Sequence, residues 1–215
     1  MVFWVEYRST RYPVDPPDPT IFDIKVAIAH MHHDVGVWNQ KIFHRGVEMD
    51  NDAIRAEDYG IRDNDEIFLS VRRDYYFQAN DVKHFSTIWD HQTILEVKNE
   101  IRIMTGIPAE KMELSYIGNT LQDNQKLASY KIPNTATIDA FEMYDLEVMG
   151  YNGIYKLKVH KRMTIGQVKY KLHVEYGLDH TTMRLERAYS KGFFRDYERL
   201  SAHKYLVMMA VGGGA

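Results

Sequence analysis

The sequence predicts an α+β protein made of three similar units, each with two strands, a helix and two further strands. A helix-start motif occurs three times, its spacing is nearly constant, and strand-like runs flank every copy. The copies are Thr20–Lys25, Thr93–Lys98 and Thr164–Lys169, and their first residues lie 73 and 71 positions apart. Three copies in phase along 215 residues indicate a tandem repeat that fills the chain.

Each copy of the motif predicts the start of a helix. The motif reads Thr-Ile-x-[Asp/Glu/Gln]-[Ile/Val]-Lys, and threonine followed three positions later by an acid or amide is a capping box. Apolar residues then recur at helical spacing, which predicts one core-facing side. Gly106 and Gly177 follow their threonines by 13 residues and are predicted C-caps, whereas Gly36 follows Thr20 by 16, so the first helix should end differently.

The strands are predicted from β-branched and aromatic runs bounded by turn residues. Before the three helices the runs are 2–7 with 11–14, 75–77 with 84–88, and 146–148 with 154–159; after them they are 41–44 with 67–71, 113–116 with 137–141, and 183–186 with 205–211. A helix packed on a mixed sheet buries the apolar face of both layers.

The composition excludes several functional classes. The chain has no cysteine, which removes disulfides, thiolate metal sites and cysteine nucleophiles. A net charge of −3 gives no basic surplus for nucleic-acid binding. We find no secretory leader and no long apolar run, so we expect no membrane association and a cytoplasmic or nuclear location.

At this level of detail the sequence resembles the ubiquitin family. The residues that carry the resemblance are 20–25, 40–46, 58–61 and 67–73 in the first unit and 117–121 and 129–132 in the second. The resemblance implies three tandem ubiquitin-like β-grasp domains (ββαββ each), at residues 1–73, 74–143 and 144–215. The third is shortened and divergent, since only 14 residues separate Gly192 from Leu206, against 21 between Gly46 and Ile67.

The resemblance also implies a binding surface. Ubiquitin-like domains bind partners through an apolar patch on the exposed sheet face, and its positions correspond here to Phe43, Phe68 and Ser70. In the second unit the same positions hold Ser115, Asp139 and Phe141, which would make that surface polar and acidic. An alternative interpretation of the first-unit aromatics is that they are scattered surface residues or inter-domain contacts.

The C-terminal residues suggest a different function. Ubiquitin-like modifiers end in an exposed Gly-Gly, so Gly213 and Gly214 could form a conjugation terminus after removal of Ala215. Against this, Ala210 and Val211 replace the arginines that precede the glycines in ubiquitin, and a frayed terminus without a role is the plain alternative. The inter-unit junctions lack Gly-Gly, so we do not expect ubiquitin-processing proteases to separate the units.

Other chemistry-bearing residues have ordinary structural interpretations. His30, His32 and His33 lack the i, i+4 spacing of a metal site, and we interpret them as solvent-facing cations at a helix C-terminus. Lys25, Lys98 and Lys169 are potential modification sites, but their helical setting favours packed aliphatic stems. No hydrolase, phosphate-loop or zinc-protease motif occurs, so no catalytic residue, metal or cofactor is expected.

These observations lead to one functional hypothesis and one alternative. The first is a non-enzymatic, monomeric interaction module or tag that binds receptors or conjugation enzymes of the ubiquitin/proteasome system. The second is a covalent modifier attached through its C-terminal glycine. An unrecognised enzyme or an inert array is the remaining, least favoured class.

Overall fold

The computed structural model describes residues 2–16, 19–150, 152–186 and 194–200 with their side chains, and residues 187 and 205–210 as backbone. The chain divides into two compact units. Unit 1 comprises Met1–Ala109 and Leu114–Ala140, and unit 2 comprises Glu110–Glu113 and Phe141–Ala215.

The described residues alternate pairs of strands with single helices, which confirms the α+β prediction. In chain order the elements are β1 (Phe3–Tyr7), β2 (Thr10–Val14), α1 (Ile21–Met31), β3 (Gln40–His44), β4 (Val47–Glu48), β5 (Glu66–Ala79), β6 (Val82–Trp89), α2 (Ile94–Thr105), β7 (Met112–Tyr116), β8 (Asn119–Thr120), β9 (Thr137–Gly150), β10 (Gly153–His160), α3 (Ile165–Tyr176), β11 (Met183–Arg187) and β12 (Tyr205–Ala210). Short 3₁₀ helices connect several of these elements.

All three helices begin with the predicted capping box. The side chains of Thr20, Thr93 and Thr164 each accept a hydrogen bond from the backbone N–H three residues later, and the side chain at that position accepts one from the threonine N–H. Gly106 and Gly177 close α2 and α3 in the left-handed conformation, as predicted. Helix α1 ends at His32 with negative φ, which confirms that it ends differently.

Strand β5 organises unit 1. Its first half pairs in parallel with β1, through Val5 and Ile67, and antiparallel with β3. Its second half pairs antiparallel with β6 and in parallel with the start of β9, where Phe77 lies opposite Ile138. The predicted boundary at 73/74 therefore lies inside one continuous strand, and β9 likewise extends across the predicted boundary at 143/144.

Helices α1 and α3 each lie over their own group of buried residues. The α1 core is built from residues between Phe3 and Val71, including Ile21, Ile24 and Ile28. The corresponding α3 core in unit 2 runs from Leu146 to Leu200. The predicted apolar helix positions are all buried. Among the described residues, no helix has the length and apolarity needed to cross a membrane.

Candidate functional site

Phe43 and Phe68 lie side by side on the sheet of unit 1. They are opposite each other in the antiparallel pairing of β3 and β5, and their ring centroids are 6.1 Å apart. Both side chains are half-buried, because they point away from the face that α1 covers. The ring of His91, from the loop between β6 and α2, lies 5.2 Å from that of Phe43. The three rings form an aromatic cluster that combines residues distant in sequence.

The aromatic cluster lines an open groove of about 800 Å³. The remaining lining residues are mostly charged or polar, and they are Glu6, His44, Arg45, Gly46, Asp65, Glu66, Thr93, Glu96 and Lys126. Residues before position 73 supply one wall, whereas the loop before α2, its first turn and Lys126 supply the other. We call the residues up to 73 the first half of unit 1 and its later residues the second half. The groove therefore lies where these two halves meet.

Cations already lie on aromatic rings at this site. In the groove the Lys126 ammonium is 4.8 Å from the centroid of Phe68, and outside its lining the Lys41 ammonium is 4.9 Å from that of Trp89. Burial, followed by the positive charge of Lys41, lowers the pKa of His91. The imidazole is therefore neutral near pH 7, and it adds aromatic surface rather than charge to the groove.

Ser70 does not belong to the exposed face, so this part of the sequence-based prediction is corrected. Its side chain is 0% exposed. The hydroxyl oxygen lies 3.1 Å from Asp90 Oδ1, to which it donates, and 2.7 Å from His91 Nδ1. The physical reason is that the β6–α2 loop covers the end of the first sheet and supplies polar partners to a serine that would otherwise be buried without them.

The proximity of Ser70, Asp90 and His91 is not a hydrolase triad. In a triad the carboxylate holds the histidine while the serine hydroxyl faces the substrate. Here the carboxylate bonds to the serine itself and to the backbone N–H of Val71, at 2.8 Å. Because Ser70 is inaccessible, the three residues fasten two segments of chain together and offer no nucleophile.

Asp90 makes the central hydrogen bonds between these two chain segments. It is 1% exposed, its Oδ1 accepts both bonds, and its Oδ2 has no hydrogen-bond partner. Burial raises the pKa of the carboxyl, against the lowering effects of its hydrogen bonds and of Arg8 and Arg73. Arg73, also buried, donates to Tyr7 and to Asp34, while Arg8 donates to the carbonyl of Ile132 at 3.1 Å. Hydrogen bonds thus join both halves of unit 1.

We expect Asp90→Ala to lower the free energy of unfolding by about 1–3 kcal/mol, because it leaves the Val71 N–H buried without an acceptor. Asp90→Asn keeps an acceptor oxygen and should lose less. The folded-state pKa lies above the unfolded value, so ionisation of Asp90 costs stability as pH rises above about 4. The Asn variant lacks this cost, and its stability relative to wild type should increase between pH 4 and 7 in urea titrations. Equal losses in both variants would contradict this role.

The recurrent lysines are buried and paired. The ammonium groups of Lys25, Lys98 and Lys169 lie within 2.6 Å of Asp52, 2.5 Å of Asp123 and 2.6 Å of Asp196, respectively. Each lysine is at most 8% exposed. Its aliphatic stem is therefore buried, while its ammonium group pairs with a carboxylate at the surface. This arrangement makes the three lysines poor acceptors for modification.

The remaining sequence-based candidates have varied positions. His30 and His33 are exposed, but His32 packs against Tyr7 and Tyr12 with a buried Nε2, which corrects its interpretation as solvent-facing. In the second repeat Ser115 is buried. In unit 2, Phe141 stacks on His160 with centroids 4.0 Å apart. Gly213, Gly214 and Ala215 lie outside the described residues.

Sequence reasoning missed the residues that the second repeat contributes to the groove. His91 and Lys126 lie in connecting segments of that repeat, outside the strand positions that correspond to the ubiquitin patch in either repeat. The available signal was the short connection at Arg72–Asp74, which contains no flexible linker residues. A connection this short keeps neighbouring repeats close enough for their loops to meet.

Two segments of the chain match known protein families. Residues 79–141 match the ubiquitin family, and residues 151–195 match the ubiquitin-like domain. A search of curated proteins gave no match for the chain. The two matched segments contain helices α2 and α3, and neither extends into the first 78 residues. The chain therefore carries two ubiquitin-like domains, and these support its assignment to a ubiquitin-like family.

Proposed function

We propose that the chain consists of three tandem ubiquitin-like domains, at residues 1–73, 74–143 and 144–215, and acts as a non-enzymatic interaction module of the ubiquitin/proteasome system. In this proposal the protein is a monomer of the cytoplasm or nucleus and binds receptors or conjugation enzymes. The family matches support the second and third domains.

Repeated local structure supports the first domain. The capping threonine of every helix forms an isolated β-bridge with a basic residue: Thr20 with Arg55, Thr93 with Lys126, and Thr164 with Arg199. The helix lysine pairs with an aspartate in all three repeats. In the second repeat these features lie within the matched segment 79–141. In the third they lie within the segment 151–195 or directly after its end. The same features in residues 20–55 therefore favour the same fold there.

The aromatic cluster in the open groove is the observation that carries the docking function. Half-buried aromatic side chains surrounded by polar residues are typical of binding hot spots. Phe43, Phe68 and His91 satisfy this description, and charged residues surround them. A partner that covers the rings would complete their burial.

We expect Phe43→Ala or Phe68→Ala to weaken partner binding by about 2 kcal/mol, roughly 30-fold, because each removes an aromatic anchor from the centre of the site. The partners can be captured by placing a photo-crosslinking benzophenone amino acid at Arg45, beside the two rings, and identifying the crosslinked proteins by mass spectrometry. The products should be components of the ubiquitin/proteasome system, and both alanine variants should strongly reduce their yield.

Phe85 provides a matched control, because it is an exposed phenylalanine of unit 1 that does not line the groove. Phe85→Ala should leave the crosslinked products unchanged. If all three alanine variants give the wild-type products, the groove is not the docking site.

The glycine-rich C-terminus favours one alternative function, covalent conjugation through Gly214 or Gly213. An N-terminally tagged chain and its Gly213→Ala/Gly214→Ala variant can be compared on denaturing gels of native-cell extracts. Non-covalent docking predicts a single band for both chains. A ladder of heavier species that requires the glycines would instead support the modifier function.

A further inference from the structure

We propose that the groove binds an arginine side chain presented by the partner protein, and that Lys126 occupies the arginine position in the free chain. This inference rests on the proposed docking function and adds the chemistry of the partner and a means of regulating the site.

The position of Lys126 indicates that the ring face of Phe68 accepts a cation. The ammonium lies 4.8 Å from the ring centroid, within the range of a cation–π contact. Lys126 is an exposed residue on a flexible stem, so leaving the ring costs little packing. An incoming cation could therefore take its place.

The charge of the groove also favours a cationic ligand. Four carboxylates line it, from Glu6, Asp65, Glu66 and Glu96, against the two cations Arg45 and Lys126. His44 lies 3.4 Å from Asp65, and Arg11 pairs with Glu66 at 2.6 Å. The Arg11–Glu66 pair is well exposed, with side-chain exposures of 66% and 40%, and exposed pairs are weak and exchangeable. Displacement of Lys126 from the ring would leave a site with a larger surplus of negative charge.

Arginine fits this combination of groups better than lysine does. Its planar guanidinium stacks on aromatic rings and donates two parallel hydrogen bonds to a carboxylate, whereas an ammonium is a compact, strongly hydrated charge. The aromatic cluster offers ring faces, and the groove walls offer carboxylates. A volume of about 800 Å³ accommodates an arginine together with the residues on either side of it.

The test uses three peptides that differ at one residue: Gly-Leu-Arg-Leu-Gly and its citrulline and lysine counterparts. Citrulline has nearly the shape of arginine without its charge. Each peptide is titrated into the ¹⁵N-labelled full chain, and the amide shifts of Phe43, Phe68 and His91 are followed. The arginine peptide should bind at least about fivefold more tightly than the citrulline peptide, and more tightly than the lysine peptide.

Lys126→Ala should increase the affinity for the arginine peptide by about 3- to 10-fold, because the competing internal cation is removed. Lys83→Ala is the matched control: Lys83 lies 4.0 Å from the Tyr76 ring in the same unit but does not line the groove. It should leave the affinity unchanged.

Equal binding of the arginine and citrulline peptides would overturn the proposal, as would unchanged or weaker binding by Lys126→Ala. These outcomes are distinguishable from failure of the docking function. If crosslinking at Arg45 still depends on Phe43 and Phe68 while the arginine peptide does not bind, the groove docks a partner through other chemistry.

Discussion

Phe77→Ala should lower the free energy of unfolding of unit 1 by about 3–5 kcal/mol, the range for truncation of a large core aromatic residue. Phe77 is 0% exposed and lies near the end of β5, where His84 of β6 and Ile138 of β9 flank it on either side. Removal of the ring leaves a cavity in the core of unit 1, and the lost burial and the cavity both reduce stability. The urea midpoint, followed by tryptophan fluorescence, measures the loss.

The same variant tests whether the two halves of unit 1 unfold together. Strand β5 is continuous across position 73, and the Asp90 carboxyl holds the end of the first half. We therefore expect Phe77→Ala to reduce amide hydrogen-exchange protection at Val5 as well as at Ile88. Phe85→Ala, on the 55% exposed neighbour, should change both little. Full protection of Val5 in Phe77→Ala would show that the halves unfold independently.

Unit 2 should lose about 2–3 kcal/mol of stability between pH 6.5 and pH 4 through His160. Burial, with help from the charges of Arg162 and Lys171, lowers the pKa of His160 to about 4. Its ring stacks on Phe141, and its Nδ1 has no hydrogen-bond partner. The unfolded state takes up a proton near pH 6.5 and the folded state does not, so acid favours unfolding across this interval. Partial exposure of the ring keeps the loss below the full linkage value.

The measurement needs a probe within unit 2, because all three tryptophans lie at or before position 89. Urea titrations followed by the NMR amide signal of Leu157 supply one. His160→Phe preserves an aromatic ring beside Phe141 and should remove most of the acid-dependent loss. His173→Gln, which alters an exposed histidine of the same unit, should retain it. Retention of the full loss in His160→Phe would assign it to other groups.

The stability of unit 1 also affects the candidate site. The groove requires that both halves of unit 1 keep their positions, because one wall comes from each half. A variant that uncouples the halves, such as Asp90→Ala, should therefore weaken docking without altering any residue that contacts the partner. Acid treatment near pH 5 should destabilise unit 2 through His160.

The helices and their ends were predictable from the sequence because the interactions that define them are local. A capping threonine and the acid or amide three residues later form their hydrogen bonds within one helical turn, independently of tertiary contacts. A glycine likewise adopts the left-handed conformation without help from tertiary contacts. The repeated motif at Thr20, Thr93 and Thr164 consequently predicted three capped helices, and the flanking runs predicted the α+β class.

The sequence predicted Phe43 and Phe68 as parts of one patch, whereas the other residues of the groove were decided by the tertiary structure. Ser70 was expected on an exposed face, but the β6–α2 loop covers it, and the same loop brings His91 onto Phe43. Lys126 reaches Phe68 across 58 positions of sequence. No local pattern encodes such contacts, because they depend on how closely a continuous β5 holds one repeat against the next. The sequence by itself determined which residues begin each helix, and the packing of two repeats determined which residues share a site.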